Sequence, residues 1–201
     1  SGSSGAPFTF YRSLALLALN GAQLLANLDR WGVPSRRSVM FVLYNTDPTI
    51  GLPIREGTVF TPFSSVGSTD PRLDVASIAA HLERQRPDCL VAYPHVVEDL
   101  ADHLARSGRR YPRDIVIATG AEVVSDRLRR TAAAAFPSGR LFDMYNAVET
   151  GMMAAECVHG TGRHVNDYAV VLEDGDRVVD ADGTAYVAPV LTNLWNHGTP
   201  I

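Results

Sequence analysis

Lysine is absent from this 201-residue chain; all 18 of its basic residues are arginine. A Schiff-base lysine, a Walker-type phosphate-clamping lysine and a lysine proton shuttle are therefore excluded as chemistry these residues complete alone. Cysteine is scarce. Cys89 and Cys157 are the only two, too few for a disulfide scaffold, and a reducing compartment is the simpler setting. No run of about 18 apolar residues exists to span a bilayer. The N-terminus lacks the charged-then-apolar layout of a secretory signal, so a cytoplasmic location is expected. Basic excess is missing too: with 22 acidic residues the formal net charge is −4, which excludes a protein that coats nucleic-acid phosphates. No Gly-x-Gly-x-x-Gly follows the first apolar strand, which disfavours a Rossmann dehydrogenase.

What is present is a core and a pattern. Hydrophobic residues make up 46% and charged residues 20%, as in an ordinary globular chain. Residues 11–31 carry Leu14, Leu17, Leu24, Leu25 and Leu28 at helical spacing and end at Gly32 and Pro34. A strand is expected at 38–44, then a Pro- and Gly-rich loop at 45–73 holding one brief strand near 58–61. Helices follow at 75–86, 95–106 and from an N-cap at Ser125 to Phe136, alternating with strands at 89–93, 114–119 and 141–145. Continuous apolar strands alternating with helices describe a parallel sheet covered on both faces. After residue 150 the pattern changes to short strands at 154–158, 168–173, 177–179 and 185–192, with turns at Asp174-Gly175 and Asp182-Gly183. The expected fold class is α/β, a mostly parallel sheet flanked by helices and followed by the start of a small antiparallel β-subdomain. Residues 1–150 would form an α/β subdomain and 151–201 a β-rich partial barrel. Both ends read as cut from a longer protein.

Three segments carry candidate chemistry. Ser1-Gly2-Ser3-Ser4-Gly5 offers hydroxyls and close-approaching backbone N–H groups for phosphate oxygens. The same five residues also look like an expression-tag scar, but they run through Pro7-Phe-Thr-Phe-Tyr-Arg12 directly into the first helix. Gly120, Ala121 and Glu122 form a turn beyond the carboxyl end of a buried strand, where open parallel sheets bind ligands. Asp143, Tyr145, Asn146, Ala147, Glu149 and Gly151 follow the last strand of the series; a tyrosine face stacks on a flat ring, and a carboxylate near phosphates wants Mg²⁺ between them.

In this order at successive strand ends, the three segments resemble the adenylate-forming superfamily, most closely its phenylacetate–CoA ligase-like branch. That family's phosphate loop, Gly-Ala-Glu turn and Tyr-Gly-x-Ser/Thr-Glu segment are matched by Ser1 to Gly5, Gly120 to Glu122 and Tyr145 to Glu149. Pro87-Asp-Cys-Leu-Val-Ala-Tyr-Pro94 resembles the strand leading to its acyl pocket, and Glu156-Cys157 with Gly162-Arg-His-Val165 resembles its Glu-Cys…Gly-x-His-Val stretch. The closing 191–201 segment resembles its approach to the ribose-binding Asp. Two positions depart: Asn146 replaces the usual Gly, and Val148 the usual Ser or Thr, removing a hydroxyl from the phosphate site.

The resemblance implies ATP-dependent activation of a small carboxylic acid, aryl by preference, as acyl-AMP, then thioester formation with coenzyme A. It implies ATP and Mg²⁺ as cofactors and coenzyme A as co-substrate, with a mobile C-terminal lid domain, bearing the adenylation lysine, lying outside this chain. Ser1, Gly2, Ser3, Ser4 and Gly5 would hold the β- and γ-phosphates. Gly120, Ala121, Glu122, Asp143, Tyr145 and Asn146 would frame the nucleotide, Asp143 accepting from the adenine amino group. Glu149 would ligate Mg²⁺, while Tyr93, Pro94, Ala147 and Gly151 would face the acyl group. Two alternatives stay open: an adenylating enzyme that loads a carrier-protein thiol or an amine, and a nucleotide-binding module that has lost turnover. Cys157, His159 and His164 invite a zinc reading, but their spacing matches no standard finger and no fourth ligand is evident; a buried thiol beside polar imidazoles ranks above it. Nucleic acid and membrane are not expected partners, and a homodimer is left open.

Overall fold

A computed structural model describes residues 11, 13–33, 38–42, 65–69, 74–147 and 149–196. Its elements in chain order are α1 (Leu14–Arg30), β1 (Ser38–Val42), β2 (Ser65–Thr69), α2 (Val75–Gln85), β3 (Cys89–Ala92), α3 (Pro94–Arg106) and β4 (Ile115–Gly120). Then come α4 (Asp126–Ala135), β5 (Gly139–Ala147), β6 (Gly151–Glu156), β7 (Arg163–Val165), β8 (Val170–Val179) and β9 (Ala185–Asn193). The phosphate-loop candidate Ser1 to Gly5, the strand expected near 58–61, and Val148 lie outside the described residues.

Seven strands form one sheet in the order β2-β1-β3-β4-β5-β6-β7, and β8 with β9 form a second, antiparallel one. The pairs from β2 to β5 are parallel; β6 and β7 add on antiparallel. This is the α/β architecture expected from the alternation, with the β-subdomain begun by β8 and β9. The chain reversal at residue 150 changes strand direction, and β6 and β7 extend the main sheet.

Strand alternation sorts the core into two layers. Met40, Leu90, Ile115 and Ile117 pack on one face against Leu82, Val97, Leu100, Leu128 and Phe136 of the α2–α4 layer. Val39, Phe41, Cys89, Val91, Val116, Phe142 and Met144 pack on the other against Leu28 of α1 and Trp31, whose ring stacks on Phe142 at 4.8 Å between centroids. Each fully buried Leu or Ile here contributes about 1.5–3 kcal/mol. A third, small cluster of Met153, Ala169 and Val170 takes in Leu19, Ala147 and Leu191 and joins the β8–β9 sheet to β6 and α1.

Local signals set the helix ends. Ser125 caps α4 as expected, its side chain accepting from the Leu128 N–H at 3.1 Å, and Ser13 does the same for Leu16 in α1. Gly32 at φ 77° and Gly108 at φ 64° turn the chain out of α1 and α3 in the left-handed region. Two expectations are corrected. Asp174-Gly175 is not a turn between two strands: it is a bulge within the continuous β8, where a Cβ on Gly175 would meet the Ala188 carbonyl at 2.3 Å. A strand also exists at Ser65–Thr69, in a stretch that reads as loop because it lacks an apolar run.

Candidate functional site

Three carboxyl strand ends define the site. Tyr93 follows β3, Gly120 ends β4 and Ala147 ends β5, all on adjacent parallel strands. The Ala92↔Thr119 and Gly120↔Met144 pairings set these ends side by side. Ligands bind at this edge of open α/β sheets because loops there diverge and helix N-termini point into the gap.

The β3 end carries the Tyr-Pro turn. Tyr93 is the N-cap of α3 with no side-chain capping bond, and Pro94 occupies the first turn, where its missing N–H costs nothing. The capping task falls instead to Glu122 on the neighbouring loop. Its carboxylate accepts from the His95 backbone N–H at 3.2 Å and lies 2.8 Å from His95 Nδ1. The His95 ring stacks on Tyr93 at 5.6 Å between centroids. The acyl-pocket and adenine-turn candidates are thereby tied to each other.

At the β4 end, Gly120 is buried and is the last residue of the strand, one residue further than the sequence pattern places it. Ala121 follows at φ 71°, a left-handed conformation uncommon for a residue with a Cβ. Its N–H donates to Asn146 Oδ1 at 3.1 Å. Asn146 sits on β5 just past a register shift between Tyr145 and Asn146.

On β5, Asp143 is buried and Tyr145 exposed. The Asp143 carboxylate is engaged through Oδ2 by Arg163 of β7. Its backbone N–H donates to Glu156 Oε2 at 2.9 Å, and that oxygen also meets Arg129 of α4 at 3.0 Å. The Asp143 Oδ1 atom takes no donor among the described residues. Ala147 packs into the small cluster around Met153. Glu149 is half-buried in the β5–β6 turn. Gly151 opens β6 at φ 76°, where a Cβ would fall 2.0 Å from Asn20 Oδ1 of α1.

Cys157 stands apart, at the far end of β6. Hydrogen bonds from the Thr161 hydroxyl, the His159 N–H and His164 outweigh its burial and pull the thiol down to about 6. Cys157 and His164 are thus neighbours, as the zinc reading needs, yet among the described residues no three His, Cys, Asp or Glu side chains converge as a metal cage.

The carboxylate chemistry suits one magnesium ion bound mainly through a nucleotide. Mg²⁺ keeps several waters and takes one or two protein carboxylates with substrate phosphates, and Glu149 in the β5–β6 turn is the candidate for such a carboxylate.

The pairings His95–Glu122, Arg163–Asp143 and Asn146–Ala121 at the candidate site join residues 20 to 27 apart in sequence. Sequence reasoning passed over His95, Arg163 and the Asn146 contact. The one available signal was the position of His95 directly after the Tyr-Pro turn.

No protein-family model matches the sequence and no curated protein matches it. Solved structures do share the fold. The 2-hydroxyisobutyryl-CoA ligase HCL, in complex with 2-HIB-AMP and CoA in the thioesterification state, matches with a TM-score of 0.65 at 15% identity, over 100% of this chain and 44% of that one. The anthranilate CoA ligase AuaEII with anthranoyl-AMP gives 0.62 at 15% identity, over 98% and 38% of the two chains. ATP-bound MatB from Rhodopseudomonas palustris gives 0.62 at 18% identity, over 92% and 36%. The chain spans between about a third and a half of the length of each. Its fold is that of part of an acyl-CoA ligase chain.

Proposed function

We propose that this chain is the nucleotide-binding part of an adenylate-forming acid–thiol ligase, of the phenylacetate–CoA ligase-like branch. A carboxylate oxygen attacks the α-phosphorus of ATP, pyrophosphate leaves, and the acyl-AMP formed yields its acyl group to the coenzyme A thiol with AMP as the leaving group. The observation that supports this best is the convergence of the Gly120–Ala121–Glu122 turn, Tyr145 and Glu149 at adjacent strand ends, in a fold shared with ligases solved with ATP or acyl-AMP.

The roles follow from the chemistry of each group. The exposed Tyr145 ring offers its face to adenine, and Asp143 Oδ1 accepts from the exocyclic amine while Arg163 holds Oδ2. Glu149 would hold Mg²⁺, which when bound would supply charge neutralisation to the triphosphate. Tyr93, Pro94, Ala147 and Gly151 line the side on which the acid enters, an apolar and aromatic set suited to an aryl acid, and Ser1 to Gly5 hold the outer phosphates. Metal-dependent ATP binding tests the reading: the Glu149→Gln variant should lose the part of ATP affinity that Mg²⁺ adds, by about tenfold or more. Equal Mg²⁺ dependence in the variant and the wild type would refute the metal role.

A further inference from the structure

The Gly120–Ala121 turn is held by a side chain from the next strand. An L-residue in the left-handed region costs about 1–2 kcal/mol, so Ala121 at φ 71° persists only because its surroundings fix it. Asn146 does so. Its Oδ1 accepts the Ala121 N–H at 3.1 Å, and its amide lies beside Gly120, where a Cβ would come within 2.9 Å of Oδ1 and 3.2 Å of Nδ2. Glycine at 120 leaves room both for the Asn146 amide and for the Met144 carbonyl oxygen, which would stand 2.8 Å from a Cβ there.

The orientation of that amide is chemically determined. A backbone N–H only donates, so the oxygen must face Ala121, and both hydrogens of Nδ2 are left to point elsewhere. Among the described residues none accepts from Nδ2. Opposite the step from Tyr145 to Asn146, β6 carries one unpaired residue, Met153, so the β5–β6 ladder is interrupted beside Asn146. The chain here runs from the exposed Tyr145 ring, suited to a base, to the Glu149 carboxylate, suited to a phosphate-bound cation. Asn146 stands between them, and the neighbouring Val148 has no hydroxyl to offer.

Resting on the adenylating function above, we propose that Asn146 is a positioning and nucleotide-recognition residue whose Oδ1 locks the Gly120–Ala121 turn while its Nδ2 donates to the phosphate nearest the nucleoside. A hydrogen bond from a neutral amide to an anionic oxygen is charge-assisted, which makes its removal legible in affinity.

The test is calorimetric titration of the 201-residue chain with adenosine, AMP and ATP in the presence of Mg²⁺, for wild type, N146A and N146D, with the Ala121 amide resonance followed in parallel. Asp keeps the acceptor that locks Ala121 but has no donor; Ala removes both functions without adding a charge that repels phosphate. N146A should bind AMP and ATP about tenfold more weakly and shift the Ala121 resonance. N146D should lose at least as much AMP and ATP affinity while leaving that resonance near its wild-type position and adenosine affinity within about twofold. Wild-type AMP affinity in N146A would confine Asn146 to the turn and overturn the inference alone. An equal loss for adenosine and AMP in N146D would place the donor on the base and overturn the phosphate assignment. A wild type that binds none of the three would overturn the nucleotide function itself.

Discussion

Replacing Gly120 by Ala puts a methyl group where the structure has no room for one. The new Cβ would lie 2.8 Å from the Met144 carbonyl oxygen and 2.9 Å from Asn146 Oδ1, against the 3.4 Å at which ordinary contact begins. These two neighbours respond differently. The Asn146 side chain can rotate away, at the cost of its bond to Ala121, about 1 kcal/mol. The Met144 carbonyl is backbone in the β4–β5 ladder, where Gly120 pairs with Met144, and it moves only if the strands part. Such overpacking costs about 1–3 kcal/mol, while the stiffer unfolded chain of the Ala variant returns about 0.4–1 kcal/mol. The net is a loss of about 2 kcal/mol, or a melting point lowered by roughly 4–8 °C for a chain of this size. Thermal melts of wild type, G120A, N146G and the double variant check both the size and the cause. In the N146G background one of the two clashes is already gone, so G120A should cost about 1 kcal/mol less there. A G120A variant melting within about 1 °C of wild type, or an identical cost in both backgrounds, would refute the packing described for this turn.

Two further outcomes follow from other parts of the site. The Cys157 thiol, drawn down from 9.0 to about 6 by Thr161, His159 and His164, has a folded value below its unfolded one. The stability it confers is therefore fully present above the ordinary thiol range and is lost as pH falls through about 6. Thiolate ultraviolet absorbance, taken as the difference from C157S, should titrate near pH 6 in wild type and higher in T161V; a wild-type midpoint near 9 would contradict the hydrogen-bond arrangement. At Gly151, φ 76° and a Cβ position 2.0 Å from Asn20 Oδ1 combine backbone strain with a clash. G151A should lose at least about 2 kcal/mol in urea unfolding, and N20A should recover only the steric part, since the left-handed strain of about 1–2 kcal/mol stays. Complete recovery in the double variant would show that the backbone at 151 carries no strain.

What was legible in the sequence is what neighbouring residues settle among themselves. Helical spacing of leucines, the Ser125 cap and the glycines at 32 and 108 act within a turn or two of chain, so α1, α3 and α4 are recoverable without any partner. Apolar runs at β3 and β4 read as buried strands because both their faces are covered. The same locality hides β2, whose Ser65-Val-Gly-Ser-Thr69 acquires its strand geometry by pairing with β1. It hides the continuity of β8 as well, since Asp174-Gly175 has the composition of a turn and becomes a bulge only against Ala188 of β9.

The candidate site divides along the same line. The sequence pattern places Tyr93, Gly120, Ala121, Glu122, Tyr145 and Glu149 near the carboxyl ends of apolar runs, while the structure carries β4 on to Gly120 and β5 past Tyr145 to Ala147. Tertiary structure alone decides that Glu122 caps α3 beside His95, that Arg163 holds Asp143, and that Asn146, which in sequence is only a departure from a motif, carries the Ala121 N–H. Each of these contacts joins groups on different elements, and hydrogen bonds of about 3 Å depend on sheet register, which residue spacing does not encode.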